Sequence, residues 1–354
     1  VNMRAGQAGH EPPGKVFTMQ IDIIVGLPHL NEGPILQRAR TLRTTALISA
    51  NGLSRWSDKR GWREWIGWRT TQLRNAKGLA GLCLDSAGFV AASRYGGFPW
   101  TIADYVALAA AHPFLWWASA DYCVEPEIAG DREEVTDRIS RTIRANRDCR
   151  RLADDHGIAN AMMPVIQGRT PSDYERCADA LSGIIGPSGL LGVGSMCRRD
   201  IHGPEGLIAV IDHLDRVRPA GVRLHAFGVK GTALPFLLPY SHRVASIDSQ
   251  AYGVAARRAA IGRAVPKTDV LVADHLERWV GAQRARLARR PHQLPQVRLT
   301  PHDPVSVDPW EVAIAQAREE IRDLIEAGEL DHDELTSPWI EQWAADIYRD
   351  RLAA

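Results

Sequence analysis

The sequence predicts an α/β fold, a (β/α)8 barrel, on three observations. Eight short apolar runs recur along the chain, most of them separated by longer stretches of helical spacing. The runs are continuously apolar rather than alternating, as strands buried on both faces require. A doubly wound sheet gives a similar rhythm; the count of eight favours the barrel.

Taken in order, residues 1–18 are polar and rich in Gly and Pro, lack the basic-then-apolar design of a signal peptide, and are expected to form a flexible lead-in. A catalytic barrel is expected over 19–265, with strands at Ile21–Val25, Ala46–Ser49, Gly81–Leu84, Leu115–Ser119, Met162–Ile166, Leu190–Gly194, Arg223–Phe227 and Val244–Ile247. Between them, Asp131–Asp155 sets Val135, Ile139 and Ile143 among charges at amphipathic spacing. Pro171-Ser172-Asp173 opens a helix through Leu181, and Gly203-Pro204-Glu205 another through Val217. Residues 266–354 read as a mainly helical C-terminal extension.

Bulk properties exclude little. The chain has 354 residues, 45% hydrophobic and 24% charged, the balance of a globular protein, and no apolar run has the length of a membrane span. The net charge of +1 drives nothing toward nucleic acid globally, but charge is segregated locally. Segment 253–298 carries ten cations, Arg257, Arg258, Arg284, Arg286 and Arg289 among them. These are either a solvated helix face or a grip on a phosphate backbone. From Glu311 acids dominate, and those read as solvated helix faces. The five cysteines are scattered without a CxxC pair, which fits a reducing cytoplasm and neither a disulfide framework nor a zinc knuckle.

In a barrel the chemistry sits at the C-terminal ends of the strands. The residues at the ends of the runs are Asp85-Ser86-Ala87-Gly88-Phe89, Asp121-Tyr122-Cys123, Gln167-Gly168, Gly192-Val193-Gly194-Ser195, Phe227-Gly228-Val229 and Asp248-Ser249. Singly, each aspartate reads as a helix cap and each glycine as a turn; their convergence on one rim exceeds what turns need. A pair of carboxylates suits attack at a sugar carbon, one as nucleophile and one as general acid and base. Asp121 and Gln167 can bond a purine edge, Phe89 and Phe227 can sandwich a ring, and Gly194 and Gly228 permit close backbone approach.

These motifs, in this order, resemble those of the tRNA-guanine transglycosylase superfamily. Asp85–Phe89 resembles its Asp-Ser-Gly-Gly-Phe, Asp121-Tyr122-Cys123 its Asp-Glu-Cys, and Val165–Gly168 its Val-Gln-Gly-Gly. Phe227-Gly228-Val229 resembles its Met-Gly-Val-Gly, and Ile247-Asp248 the Phe-Asp that carries its nucleophile. The resemblance spans about Leu82 to Ser249 and implies Asp248 as nucleophile and Asp85 as general acid and base. It further implies a base site of Ser86, Phe89, Asp121, Gln167, Gly168, Gly194, Phe227 and Gly228. Arg169 and Tyr122 depart from the family pattern. So does the missing CxCxxC after Asp248, since the last cysteine is Cys197. That loss of the zinc subdomain is more similar to the branch modifying DNA with 7-deazapurines (DpdA-like).

The resemblance therefore implies an enzyme, without metal or cofactor, exchanging guanine in DNA for a 7-deazaguanine such as 7-cyano-7-deazaguanine. Its partners would be DNA and the free base, with a homodimer or accessory DNA-modification proteins also admitted, and no membrane. Three other readings stand beside it: a zinc-free enzyme acting on tRNA, a non-catalytic subunit, and an unrelated barrel enzyme. The last would bind a small sugar phosphate through Gly228-Val229-Lys230-Gly231. Retention of both Asp85 and Asp248 speaks against the non-catalytic one.

Overall fold

The computed structural model describes residues 20–59, 63–187, 189–296, 309–326 and 337–353, so the expected lead-in lies outside the described residues. Eight parallel strands close a barrel: β1 Asp22–Leu27, β2 Thr45–Ser49, β3 Gly81–Asp85, β4 Trp117–Ala118, β5 in two halves, β6 Leu190–Val193, β7 Arg223–Ala226 and β8 Val244–Ser249. Closure is the pairing of β8 with β1, which sets Asp248 opposite Ile24.

The halves of β5 are Met162–Met163, which pairs with β4, and Val165–Ile166, which pairs with β6. Pro164 lies between them and has no N–H to give the ladder. The sheet holds across this gap because the Pro164 carbonyl accepts from the Gly192 N–H at 2.8 Å. Buried Asn146 spans the same gap, donating to the Val165 carbonyl at 2.9 Å and accepting from the Ser119 hydroxyl at 2.7 Å.

The barrel interior is packed by Ile24, Leu47, Cys83, Ala118, Met163 and Val165, with Trp116 and Phe227 against them. Outside, the strands' other faces meet amphipathic helices. The longest, Arg132–Asp155, is capped by Asp131, which accepts from the Glu133 and Glu134 N–H groups, and it buries Val135, Ile139, Ala145 and Cys149.

The helix Asp269–Leu287 completes this layer. Its Val272, Ala273, Leu276 and Val280 share a core with Val25 and Ile35, and Arg38 bonds Asp274 at 3.2 Å. The barrel's helical layer thus runs on to Leu287, past the boundary expected at 265. Helices Pro309–Glu326 and Ser337–Ala353 pack on each other through Ala313, Ala317, Ala344 and Ile347. The acidic stretch is not only a solvated face: Glu320 is buried, paired with Arg198 at 2.7 Å and bonded by the Trp343 indole N–H at 2.7 Å. No described helix is long and apolar enough to cross a membrane.

The strand ends agree with the expected runs to within a few residues. An antiparallel hairpin, Ser54–Ser57 with Glu64–Trp68, lies outside the expected elements. It leaves the C-terminal end of β2, and it alternates tryptophan with charge instead of forming the continuous apolar run of a barrel strand.

Candidate active site

Asp85 is the last residue of β3, and Asp248 lies one residue from the end of β8. Asp121 lies three residues past the end of β4, and Gln167 follows β5 directly. All four, with Phe89, Gly194, Phe227 and Gly228, line one cavity of roughly 1010 Å³ at the C-terminal rim. That is the upper end for small-molecule pockets, with room for a nucleoside and its phosphates as well as a base.

A chain of hydrogen bonds fixes the base-facing side. The Val124 N–H donates to Ser195 Oγ at 2.9 Å, and that hydroxyl donates to Gln167 Oε1 at 2.7 Å. Gln167 Nε2 donates to Asp121 Oδ2 at 2.5 Å, and Ser86 Oγ donates to Asp121 Oδ1 at 2.6 Å. Burial raises the Asp121 pKa, and the Ser86 and Gln167 donors oppose the rise. Each member holds the next, so the Asp121 carboxylate has one orientation before any ligand arrives.

Asp248 Oδ1 accepts from the Gly228 N–H at 2.8 Å. Gly228 has φ +67, and a Cβ there would sit 2.5 Å from Cys197 Cβ, so only glycine delivers this N–H. That donor is thereby committed to the carboxylate, which weakens the phosphate-loop reading of Gly228–Gly231. Asp85 differs. Burial, and then the negative charges of Asp121 and Asp248, push its pKa up to about 7, although the Ala87 N–H bonds it at 3.1 Å. Near neutrality it can both give and take a proton, with Asp121 and Asp248 beside it in the cavity.

Two expected contact residues stand behind the wall. Ser86 is fully buried and serves Asp121. Gly168 does not line the cavity; a Cβ there would lie 2.7 Å from Asp173 Cβ and 2.8 Å from the Tyr174 nitrogen, so it is a packing glycine. Gly194 does line it, and also leaves room for Gln167, whose Nε2 would be 2.1 Å from an added Cβ. Phe89 lies under the Arg198 guanidinium, 5.9 Å from the ring centre, and Phe227 meets His225 edge-on at 4.5 Å.

The basic stretch is divided by the fold. Arg258 and Arg286 border the cavity. Arg284 instead bonds the Leu42 carbonyl at 3.0 Å, beyond the far end of helix Pro34–Thr41, beside the start of β2. Arg257 is half-buried in helix Ala251–Gly262, and Arg289 is exposed past the end of helix Asp269–Leu287.

Sequence reasoning missed His225, which is fully buried in β7 with Nε2 3.4 Å from Asp248 Oδ1 and Nδ1 2.8 Å from Ser246 Oγ. Strand parity held the signal, since His225 is two residues from Phe227 and shares its inward face. It also missed buried Glu125 and partly buried Arg198 on the cavity wall, whose loops carry no local signature. Among the described residues no cluster of His, Cys, Asp and Glu could hold a metal ion.

Comparison with known families finds a model that matches over residues 55–323, described as DpdA, DeoxyPurine in DNA protein A. No curated protein matches the chain.

Proposed function

The chain belongs to the DpdA family of DNA deoxypurine proteins, and from that premise we propose that it exchanges guanine in DNA for a free 7-deazaguanine base. The supplied base is 7-cyano-7-deazaguanine or a relative. The observation that carries this reading is the placement of Asp85, Asp121 and Asp248 around one cavity, with Asp85 raised to a proton-sharing pKa of about 7.

In this reading Asp248 attacks C1′ of the target deoxyribose. The C1′–N9 bond breaks, its electron pair leaves with the guanine, and the Asp85 carboxylic acid protonates that base. The sugar is left esterified to Asp248. Asp85, now ionised, takes the proton from N9 of the incoming deazaguanine. That nitrogen attacks C1′ and releases the Asp248 carboxylate. Asp121 and Gln167 accept from and donate to the purine edge, and Phe89 and Phe227 pack on its faces. A guanine stacked in a duplex cannot reach the cavity, so the nucleotide is extruded or taken from opened strands.

The test is mass spectrometry of nucleosides from DNA and from tRNA of cells expressing the chain with a deazaguanine supply. A deazaguanine deoxynucleoside in DNA is expected. The modified base in tRNA alone would replace this reading with the RNA-acting one.

A further inference from the structure

The hairpin of Ser54–Ser57 and Glu64–Trp68 carries chemistry that the site does not use. Arg55, Lys59, Arg63 and Arg69 are all exposed on it or at its ends. Among the described residues none of the four has a carboxylate within ion-pair distance. Several arginines around the barrel are otherwise engaged: Arg40, Arg132, Arg138, Arg218 and Arg243 each hold an acid. These four cations outnumber the two acids of the same element, Asp58 and Glu64, and leave it a local positive field in a chain of net charge +1.

Aromatic rings accompany the charge and run from the hairpin to Tyr122, next in sequence to the cavity residue Asp121. Trp65 meets Trp68 at 5.0 Å and Trp68 meets Trp100 at 4.8 Å. Trp100 meets Phe98 at 6.0 Å, and Phe98 meets Tyr122, the neighbour of Asp121, at 5.5 Å. On the other side Trp56 packs on Tyr95 at 4.6 Å, at the end of the helix that starts just after Asp85. The exposed Arg63 guanidinium lies over the Trp56 ring, 4.9 Å from its centre. An exposed cation over an aromatic ring offers an unpaired base both charge and a ring to pack on, and its neighbours can hold phosphates.

We propose that this hairpin is a second wall of the DNA site, binding the single-stranded segment beside the nucleotide in the cavity through Arg55, Lys59 and Arg63. This rests on the DNA reading above. Charge complementarity and the unbroken aromatic path to Tyr122 select a polynucleotide over an apolar or acidic-protein partner.

The test uses the full chain. Fluorescence anisotropy with a labelled single-stranded oligonucleotide compares wild type with R55E/K59E/R63E across salt concentrations. A control variant, R144E/R147E/R151E, makes the same charge change on helix Arg132–Asp155, and R55Q/K59Q/R63Q covers the case in which the reversal misfolds. Hairpin variants are expected to lose affinity at least about tenfold and to flatten the log–log salt slope by about two to three, with free-base affinity unchanged and the control close to wild type. Equal loss in the control, or unchanged affinity and slope in both hairpin variants, would overturn the proposal. Loss of tRNA binding with DNA binding intact would also overturn it. Failure of base exchange by the wild type counts separately, against the function itself.

Discussion

Nε2 of His225 lies 3.4 Å from Oδ1 of Asp248, with the other ring nitrogen held 2.8 Å from Ser246 Oγ. A fully buried imidazole wedged between Trp116 and Phe227 has little freedom to turn. The ring stands against the carboxylate and, together with the Gly228 N–H that bonds it, limits its rotation. His225→Gln is therefore expected to slow formation of the covalent adduct by up to about a hundredfold, the cost of misplacing a reacting group. KM for the free base should stay near wild type. A loss shared equally between kcat and KM, or no loss, would argue for a packing role only.

Wild type is expected to form a covalent protein–DNA adduct and Asp248→Asn to form none, because an amide oxygen is too weak a nucleophile to replace the carboxylate. Denaturing gel electrophoresis after incubation with DNA reads this directly. Adduct and exchange persisting in the variant would remove Asp248 from the mechanism.

Asp85→Asn should lower turnover by about 10²–10⁴, the usual worth of a general acid and base. It also carries a stability signature. The folded-state pKa, about 7, stands above the ordinary value of 3.8. Ionising Asp85 therefore costs the fold, and stability present below pH about 4 is lost as pH rises through about 7. The asparagine variant cannot ionise. It should be more stable than wild type at pH 8, with the gap closing toward pH 4, as thermal melts across pH will show. A gap independent of pH would contradict the raised pKa.

Asp121→Ala should weaken binding of the free deazaguanine by about 1–3 kcal/mol, the cost of leaving buried donors unpaired. Gln167→Leu should weaken it too, because Gln167 both faces the cavity and holds Asp121 at 2.5 Å. The double variant should lose less than the sum of the two, since the residues act as a coupled pair. Calorimetry giving full additivity would separate their roles.

The division of the basic stretch predicts unequal effects within it. Reversing Arg258, at the cavity mouth, should reduce DNA affinity and lower the salt slope by about one. Reversing Arg284, bonded to the Leu42 carbonyl near the start of β2, should change neither. Equal losses would mean that DNA wraps the outside of the barrel.

The sequence by itself determined the barrel and which residues reach its rim. Strands buried on both faces must be short, continuous apolar runs, and parallel closure sends every strand's C-terminal end to one side. Asp85, Asp121, Gln167 and Asp248 could thus be placed together from their positions after strands. Only the tertiary structure decided what those groups do to one another. Gln167 bonding Asp121 and His225 lying under Asp248 are contacts between neighbouring strands, between residues 46 and 23 positions apart, set by how the strands register. Ser86 and Gly168 have the same local sequence character as true wall residues, yet one turns inward to hold a carboxylate and the other makes room for a helix. The arginines looked continuous along the chain, but the fold carries Arg258 to the cavity mouth and Arg284 toward the start of β2. The hairpin escaped notice because its alternation of tryptophan and charge belongs to a two-stranded surface ribbon. Its meaning depends on the rings of Trp100, Phe98 and Tyr122, which distant loops bring to it.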